Sequence, residues 1–416
     1  MGFRIYRTSD GSGMVRYEKI STSPISGVGG KSLRTATKIV AASNSLDKSS
    51  ADYVCDGVHD EEEINKAISD LATTGGTVIL LEGIYNVGSA GIRSIQIESS
   101  AVDISYGIYI TSNVSLVGQG KSTILILDSN NFNIGSAQAG AVILSDSASG
   151  IEISHLTVDG NQQSVGFPVV GIYQFNVSDS RISHCSIRNA FYGVGVYLSN
   201  NCIIADNVCN SCIIVVGDNN NISRNICNGG IFGVAVGGSK NHICNNTCCN
   251  AIEYGIYVSG AMVTPAITTD SNHVYGNICY GCAAAGIAIE KSDYNSVIGN
   301  ICYMNNGYGI GIIGSSNIVS DNQVLGNSQS SDNWYDGIYI MSWGGVQPSY
   351  NTISNNTVRH MGLVNQHRYG VHIGSNCIGN LVINNDLYQA GTSADFYDEG
   401  TDTVYHNNRT TQGWIP

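Results

Sequence analysis

Along most of this chain aliphatic residues alternate with small or polar ones in short runs, and the same runs keep returning. One is Gly-aliphatic-x-aliphatic: Gly193-Val194-Gly195-Val196, Gly233-Val234-Ala235-Val236, Gly255-Ile256-Tyr257-Val258, Gly286-Ile287-Ala288-Ile289, Gly309-Ile310-Gly311-Ile312, Gly337-Ile338-Tyr339-Ile340 and Gly370-Val371-His372-Ile373. The other is built on Asn, as in Ile222-Ser223-Arg224-Asn225-Ile226-Cys227 and Val297-Ile298-Gly299-Asn300-Ile301-Cys302. Alternation with a period of two, with β-branched residues at the inner positions, predicts strands.

Aligned on the Asn phrase, one slot is filled in turn by Leu156, Cys185, Asn207, Asn225, Asn246, Asn277, Asn300, Asn322, Asn356, Asn385 and Asn407. Spacings run from 18 residues (Asn207 to Asn225) to 34 (Asn322 to Asn356). A unit repeated at this period is a coil stacked on copies of itself. The predicted fold is all-β, a single-stranded right-handed parallel β-helix with the aliphatic positions inside. A buried amide left unpaired costs roughly 1–3 kcal/mol, so an Asn at one bend in coil after coil predicts a hydrogen-bonded ladder along the axis.

Composition agrees. Fifty glycines, five prolines and 12% charged residues in a chain of 416 describe an ordered, turn-rich β protein, and one elongated domain is expected. The formal charge, 19 − 32 = −13, carries no basic stripe, so nucleic acid is not an expected partner. No apolar run reaches the ~18 residues of a membrane span, and Met1 to Arg7 are not followed by the apolar stretch of a Sec signal.

Five of the thirteen cysteines, Cys209, Cys227, Cys248, Cys279 and Cys302, hold one slot two residues after the Asn. That spacing predicts a column of parallel buried thiols, not a disulfide framework or a tetrahedral zinc set. Free thiols in odd number point to synthesis in a reducing compartment. No metal or cofactor is predicted, with calcium left as an open alternative.

Residues 1–36 are polar and Gly/Ser-rich and read as an attachment arm. Residues 37–150 read as a cap with the first coils, and 151–416 as regular coils. Within the cap, Ile64, Ala67, Ile68 and Leu71 fall on one helical face behind Asp60-Glu61-Glu62-Glu63, which suits a helix N-terminus. Such a helix would cover the open end of the solenoid.

The phrase Asp56-Gly57-Val58-His59-Asp60, then Gly75-Gly76-Thr77-Val78-Ile79-Leu80-Leu81-Glu82-Gly83-Ile84-Tyr85-Asn86-Val87, Leu116-Val117-Gly118-Gln119-Gly120 and Leu156-Thr157-Val158-Asp159-Gly160-Asn161 resemble the cap and first coils of the pectate-lyase-like β-helix superfamily. The resemblance spans residues 37–409. Members include polysaccharide lyases, glycosidases, uronate epimerases and phage tailspikes. It implies a polysaccharide substrate or glycan receptor as partner and, by likeness to tailspikes, a homotrimer. The Asp-Pro-His-Asp phrase of alginate epimerases and the paired-Asp motif of polygalacturonases are absent from this sequence.

With the aliphatics inside, the x positions face out as a column: Gly195, Ala235, Tyr257, Ala288, Gly311, Tyr339, His372. A second outward column contains Glu290 and Met341. Insertions at residues 260–272, 327–336 and 342–350 are expected to rise beside it as walls. Tyr339 and His372 fall on adjacent coils, about 5 Å apart. β-Elimination from a uronate chain needs a base, an acid and a cation, and His372, Tyr339 and Arg368 are chemically suited to those roles. Hydrolysis needs two carboxylates roughly 5–9.5 Å apart; Asp336 with Asp332 is the candidate pair, Glu290 being too distant. Tyr257, Trp334, Trp343, Tyr335 and Lys291 are the candidate sugar contacts.

Two classes of function follow. One is a carbohydrate-active β-helix, lyase or hydrolase, of the tailspike-like depolymerase kind; the other is a non-catalytic fibre, adhesin or virion component that binds glycans. Either would act extracellularly or on a virion.

Overall fold

The computed structural model describes residues 3–7, 15–19, 36–97, 100–262, 269–362 and 364–415. The chain divides into two units, Met1–Thr35 and Ala36–Pro416. In the first, strands Phe3–Arg7 and Val15–Lys19 pair antiparallel, with Phe3 opposite Lys19. The rest of the segment read as an arm, up to Thr35, lies outside the described residues.

The second unit is a right-handed parallel β-helix. Among the described residues its strands form three long sheets, of fifteen, thirteen and eleven strands, each strand pairing with its equivalent in the next coil. The pairing is parallel except for two hairpins, Gly91–Ile97 with Ser100–Tyr109 at the start of the thirteen-strand sheet and Asn408–Thr410 with Gly413–Ile415 after the last coil. One coil illustrates the path: Ile203–Ala205 lies in the fifteen-strand sheet, Val208–Cys209 in the eleven-strand sheet and Cys212–Val216 in the thirteen-strand sheet.

The alternation read from sequence becomes columns of identical chemistry. Val234, Ile256, Ile287, Ile310, Ile338 and Val371 stack in register, all fully buried, and Val236, Val258, Ile289, Ile312, Ile340 and Ile373 stack beside them. Each such side chain contributes about 1.5–3 kcal/mol on burial. The cap helix, Glu61–Leu71, buries Ile64, Ala67, Ile68 and Leu71.

The Asn slot is a ladder. Asn225 Oδ1 accepts both the backbone N–H and the side-chain amide of Asn207, each at 3.0 Å; its own Nδ2 donates to Ile204 O (2.8 Å) and Asn246 Oδ1 (3.0 Å). Every polar valence of the amide is thereby used inside the core. The residue before the ladder Asn is left-handed in coil after coil, for example Asp206 (φ 60°), Arg224 (55°), Asn245 (56°) and Asn355 (56°). That bend explains a correction at the end of the series. Sequence alignment placed Asn407 in the last slot, whereas Asn408 occupies it, accepting from Asn385, because Asn407 (φ 55°) takes the bend itself.

A second ladder, unread in the sequence, runs through Asn220, Asn241, Asn272, Asn295, Asn317, Asn351 and Asn380 at another bend. A third is short. Asn305 donates to Asn327 Oδ1, and the Asn327 backbone N–H donates to Nε2 of a fully buried His367.

Cys209, Cys227, Cys248, Cys279 and Cys302 pair in register and are fully buried. All thirteen cysteines are free thiols. Burial pushes the thiols of Cys185, Cys212 and Cys282 up to about 12 and holds that of Cys279 well above its ordinary value.

Candidate functional site

The thirteen-strand face carries a charged cluster where the outward column reaches its last described coils. Register places Gly311, Tyr339, His372 and Tyr397 side by side on successive strands. Two glycines lock the backbone around them. A Cβ on Gly337 would come within 2.6 Å of Gly370 O, and one on Gly370 within 2.4 Å of Asp395 O, so no other residue fits at either position. Asp336, immediately before Gly337, is thereby fixed.

Asp336 is completely buried and its carboxylate is fully engaged. Arg368 grips it with two donors, Nε to Oδ1 at 3.0 Å and Nη2 to Oδ2 at 2.9 Å, and that hydrogen bonding raises the guanidinium's already high pKa further. His372 Nδ1 lies 2.9 Å from Asp336 Oδ2, and His372 Nε2 lies 3.1 Å from Glu399 Oε2. The imidazole is only 2% exposed, whereas the Glu399 side chain is 44% exposed.

The ring order explains the burial of His372. Tyr339 stacks on the imidazole with centroids 4.4 Å apart and planes 7° apart, and Tyr397 lies 5.3 Å away, tilted. Tyr369 meets its edge at 5.0 Å, stacks on Tyr397 at 4.3 Å and lies beneath the Arg368 guanidinium at 4.7 Å. Burial raises the pKa values of Tyr339 and Tyr369, keeping both phenols protonated.

This geometry constrains the protons. Asp336 accepts from Arg368, so its contact with His372 is a donation from Nδ1–H. His372 Nε2 then faces Glu399 Oε2 across 3.1 Å. The result is a relay from a buried carboxylate, through a fixed imidazole, to a carboxyl open to solvent.

Of the residues singled out from sequence, Asp336, Tyr339, Arg368 and His372 come together here. Tyr335 stands beside them, edge-on to Tyr308 at 5.0 Å and accepting the Arg368 backbone N–H through its carbonyl. The others lie apart from the cluster. Asp332 is on the preceding loop, where it accepts the Gln366 backbone N–H at 3.0 Å. Glu290 lies opposite Ile313 on an earlier strand and accepts the Tyr257 hydroxyl at 2.5 Å. Lys291 follows it at a left-handed bend (φ 51°). Trp334 and Trp343 are each 65% exposed. In the insertion at residues 260–272, residues 263–268 lie outside the described residues.

Sequence reasoning missed Glu399, Tyr369 and Tyr397. Strand Ala394–Asp398 lacks the Gly-aliphatic-x-aliphatic phrase, yet Phe396 takes the inward slot opposite Val371, which carries Tyr397 into the column. A hollow of about 520 Å³ between residues 391–396 and 410–415 contains none of the four charged residues in its lining.

A family model described as periplasmic copper-binding protein (NosD) matches residues 154–264 and 266–415. The chain belongs to the NosD family. No curated protein matches this NosD-family chain. Among solved structures it is similar to the A-module of Azotobacter vinelandii mannuronan C-5 epimerase AlgE6, with 17% identity and a TM-score of 0.63 over 83% of this chain and 94% of that one. The Dettilon tailspike protein gives 15% identity and a TM-score of 0.64, over 81% and 64%. A tailspike mutant of E. coli bacteriophage HK620 in complex with a pentasaccharide gives 13% and 0.51, over 84% and 72%. At these identities the likeness is one of fold, the right-handed parallel β-helix, which this NosD-family protein shares.

Proposed function

We propose that the protein holds a polysaccharide along its thirteen-strand face and works on it by acid–base chemistry at Glu399, with His372 and Asp336 behind it. The observation that carries this reading is the imidazole held between two carboxyl groups, one fully buried and one 44% exposed. Core stability gives no reason for a charged relay on the outside of a sheet, and surrounding tyrosines supply apolar faces with hydroxyl tips, as sugar sites do. The likeness to a mannuronan epimerase module and to a tailspike in complex with a pentasaccharide supports a glycan as the partner.

The roles differ from those expected of the residues alone. His372 reaches substrate only through Glu399, because both its nitrogens are engaged. Arg368 is committed to Asp336, which argues against its neutralising a uronate carboxylate. Asp336 is closed to substrate, which argues against its forming a hydrolytic pair with Asp332. Glu399 is the group placed to give or take the proton.

The family's description refers to copper, which needs thiolate, thioether or imidazole donors converging on one point. The five stacked thiols are buried side by side, and the His372 nitrogens are occupied. Among the described residues, the one group of three His, Cys, Asp or Glu ligand atoms lying within 4.8 Å of one another is Cys55, Asp60 and Glu63. There both Asp60 oxygens accept backbone N–H groups, and burial pushes the Cys55 thiol up. These donors do not suit copper, and no step is assigned to it.

A second reading, glycan binding without turnover, is favoured by the coverage of His372 by Tyr339 and Tyr397. Incubation with a panel of neutral and uronic-acid polysaccharides, following unsaturated products and reducing ends, separates the two. Product formation that is lost in Glu399→Gln supports catalysis; binding without product in any assay replaces it with the fibre or adhesin reading.

A further inference from the structure

The eleven-strand face is apolar where the coil does not require it. One outward column holds Val208, Ile226, Thr247, Ile278, Ile301 and Gln323 on successive strands, and the column beside it holds Asn228, Cys249, Tyr280, Tyr303 and Leu325. No charged residue stands among them. Ile226 is 46% exposed, and Tyr280 stacks on Tyr303 with ring centroids 5.0 Å apart. One coil further on the same slots hold Thr357 and Arg359. The fold therefore accepts polar and charged residues there, and a continuous uncharged, partly apolar face points to contact with another molecule.

The bend that leads into this face forms its rim. Its left-handed position is filled coil by coil by Asp206, Arg224, Asn245, Gly276, Gly299, Asp321 and Asn355. The Arg224 side chain is 57% exposed and gives Nε and Nη2 to Asp206. Asp321 is exposed as well. A cation and an anion thus stand two coils to either side of Gly276, with the uncharged columns alongside.

We infer that this face pairs two copies of the chain, antiparallel, about a two-fold axis through the coil of Gly276 and Ile278. The axis lies in the plane of contact and across the coils, so each column meets itself running backwards. Ile278 and Tyr280 face their own copies. Ile301 falls opposite Thr247 and Tyr303 opposite Cys249, in each case a larger side chain against a smaller one. On the rim Arg224 falls opposite Asp321 twice over, Asn245 opposite Gly299 and Asp206 opposite Asn355, so no like charges meet. Moving the axis half a coil toward Asn245 would set Asp206 against Asp321, which selects this register.

A net charge of −13 makes copies of this chain repel over most of their surface, and an uncharged face with complementary charges on its rim is where two of them can approach. Six strand spacings of about 4.8 Å by a face about 15 Å wide cover roughly 430 Å² of each copy, the size class of a reversible contact and not of an obligate dimer. The thirteen-strand face, with Glu399, stays open in the pair.

The test is sedimentation velocity of the full chain from about 1 to about 100 µM, the span in which a contact of this size dissociates. The wild type is expected to pass from monomer to dimer as concentration rises. Ile278→Lys sets two cations against each other on the axis, and Asp321→Arg sets a cation against Arg224 of the second copy. Each should weaken dimerisation by at least about tenfold. Adding Arg224→Asp to Asp321→Arg exchanges the two charges and should restore the affinity to within about threefold of wild type. Unchanged thermal unfolding establishes that each variant is folded. Asp321→Arg keeps the test open where Ile278→Lys does not fold, since arginine already occupies that left-handed slot at Arg224. A monomer at every concentration, or a dimer indifferent to both single substitutions, would overturn the inference. A dimer lost in Ile278→Lys but indifferent to the charge exchange would overturn the antiparallel register. A trimer would overturn the pairing itself, because contacts about a three-fold axis join two different patches and cannot set one column against itself.

Discussion

Asp336 Oδ2 lies 2.9 Å from His372 Nδ1, although 36 positions separate the two residues in the chain. Coil stacking makes them neighbours, since Tyr339 and His372 pair directly across adjacent strands. Removing one partner of a buried charged pair leaves the other uncompensated and typically costs about 3–5 kcal/mol. Asp336→Ala is expected at the low end of that range, because Arg368 and Glu399 keep contact with water. Urea unfolding measures it, and a loss below about 1 kcal/mol, the ordinary value for a point substitution, contradicts the pairing.

Glu399 is a different case, exposed and at the open end of the relay. Glu399→Gln preserves shape and removes the titrating group, so the melting temperature should stay unchanged while turnover on any productive polysaccharide falls by roughly 10²–10⁴-fold, the usual size of a general acid–base contribution. A variant that melts normally and retains full activity assigns the proton to another group.

Acid should act through His367. Burial lowers its pKa to about 4, and its Nε2 accepts the Asn327 N–H, a role open only to the neutral ring. A base with a depressed folded pKa contributes stability that is present above the unfolded value, near 6.5, and is lost as pH falls toward 4. On that linkage, about 2 kcal/mol should disappear between pH 7.5 and pH 5. His367→Asn, which keeps an amide in the ladder slot, should flatten that part of the pH–stability curve. An identical slope in wild type and variant excludes this source.

The end of the first Asn ladder offers a paired comparison. Asn408 accepts the Asn385 backbone N–H and side-chain amide and donates to Val382 O, all buried. Asn408→Ala should cost about 2 kcal/mol or more through orphaned donors and acceptors. Asn407→Gly, at an exposed left-handed bend, should stay within about 0.5 kcal/mol. Equal costs in denaturant titration would return the slot to Asn407.

The thiols should be inert. All thirteen are buried, and Ellman's reagent should react with few of them on the timescale of minutes in native buffer, then with all thirteen in denaturant. Rapid native reaction of several thiols contradicts a closed core.

Much of the fold was legible because a solenoid writes its contacts locally. The Gly-aliphatic-x-aliphatic phrase states which side chains point inward, and its repetition states which residues stack. The second Asn ladder escaped notice because its members sit in the changing phrases that follow the thirteen-strand face, such as Asp218-Asn219-Asn220 and Ser239-Lys240-Asn241. Glu399 escaped because it lies beyond Ala394–Asp398, a strand without the repeat phrase.

The sequence by itself determined the coil, the direction in which each strand residue points, the thiol column and the adjacency of Tyr339 with His372. A period-two pattern repeated along the chain leaves one way to bury its apolar half. Only the tertiary structure decided what those outward residues do. The bends and the strand register bring Asp336, Arg368 and Glu399 onto the same imidazole, one as a buried anchor, one as its fixed counter-charge and one as the open end. Hydrogen-bond partners and access to water are set by atoms from three coils at once, and no single coil's sequence contains them.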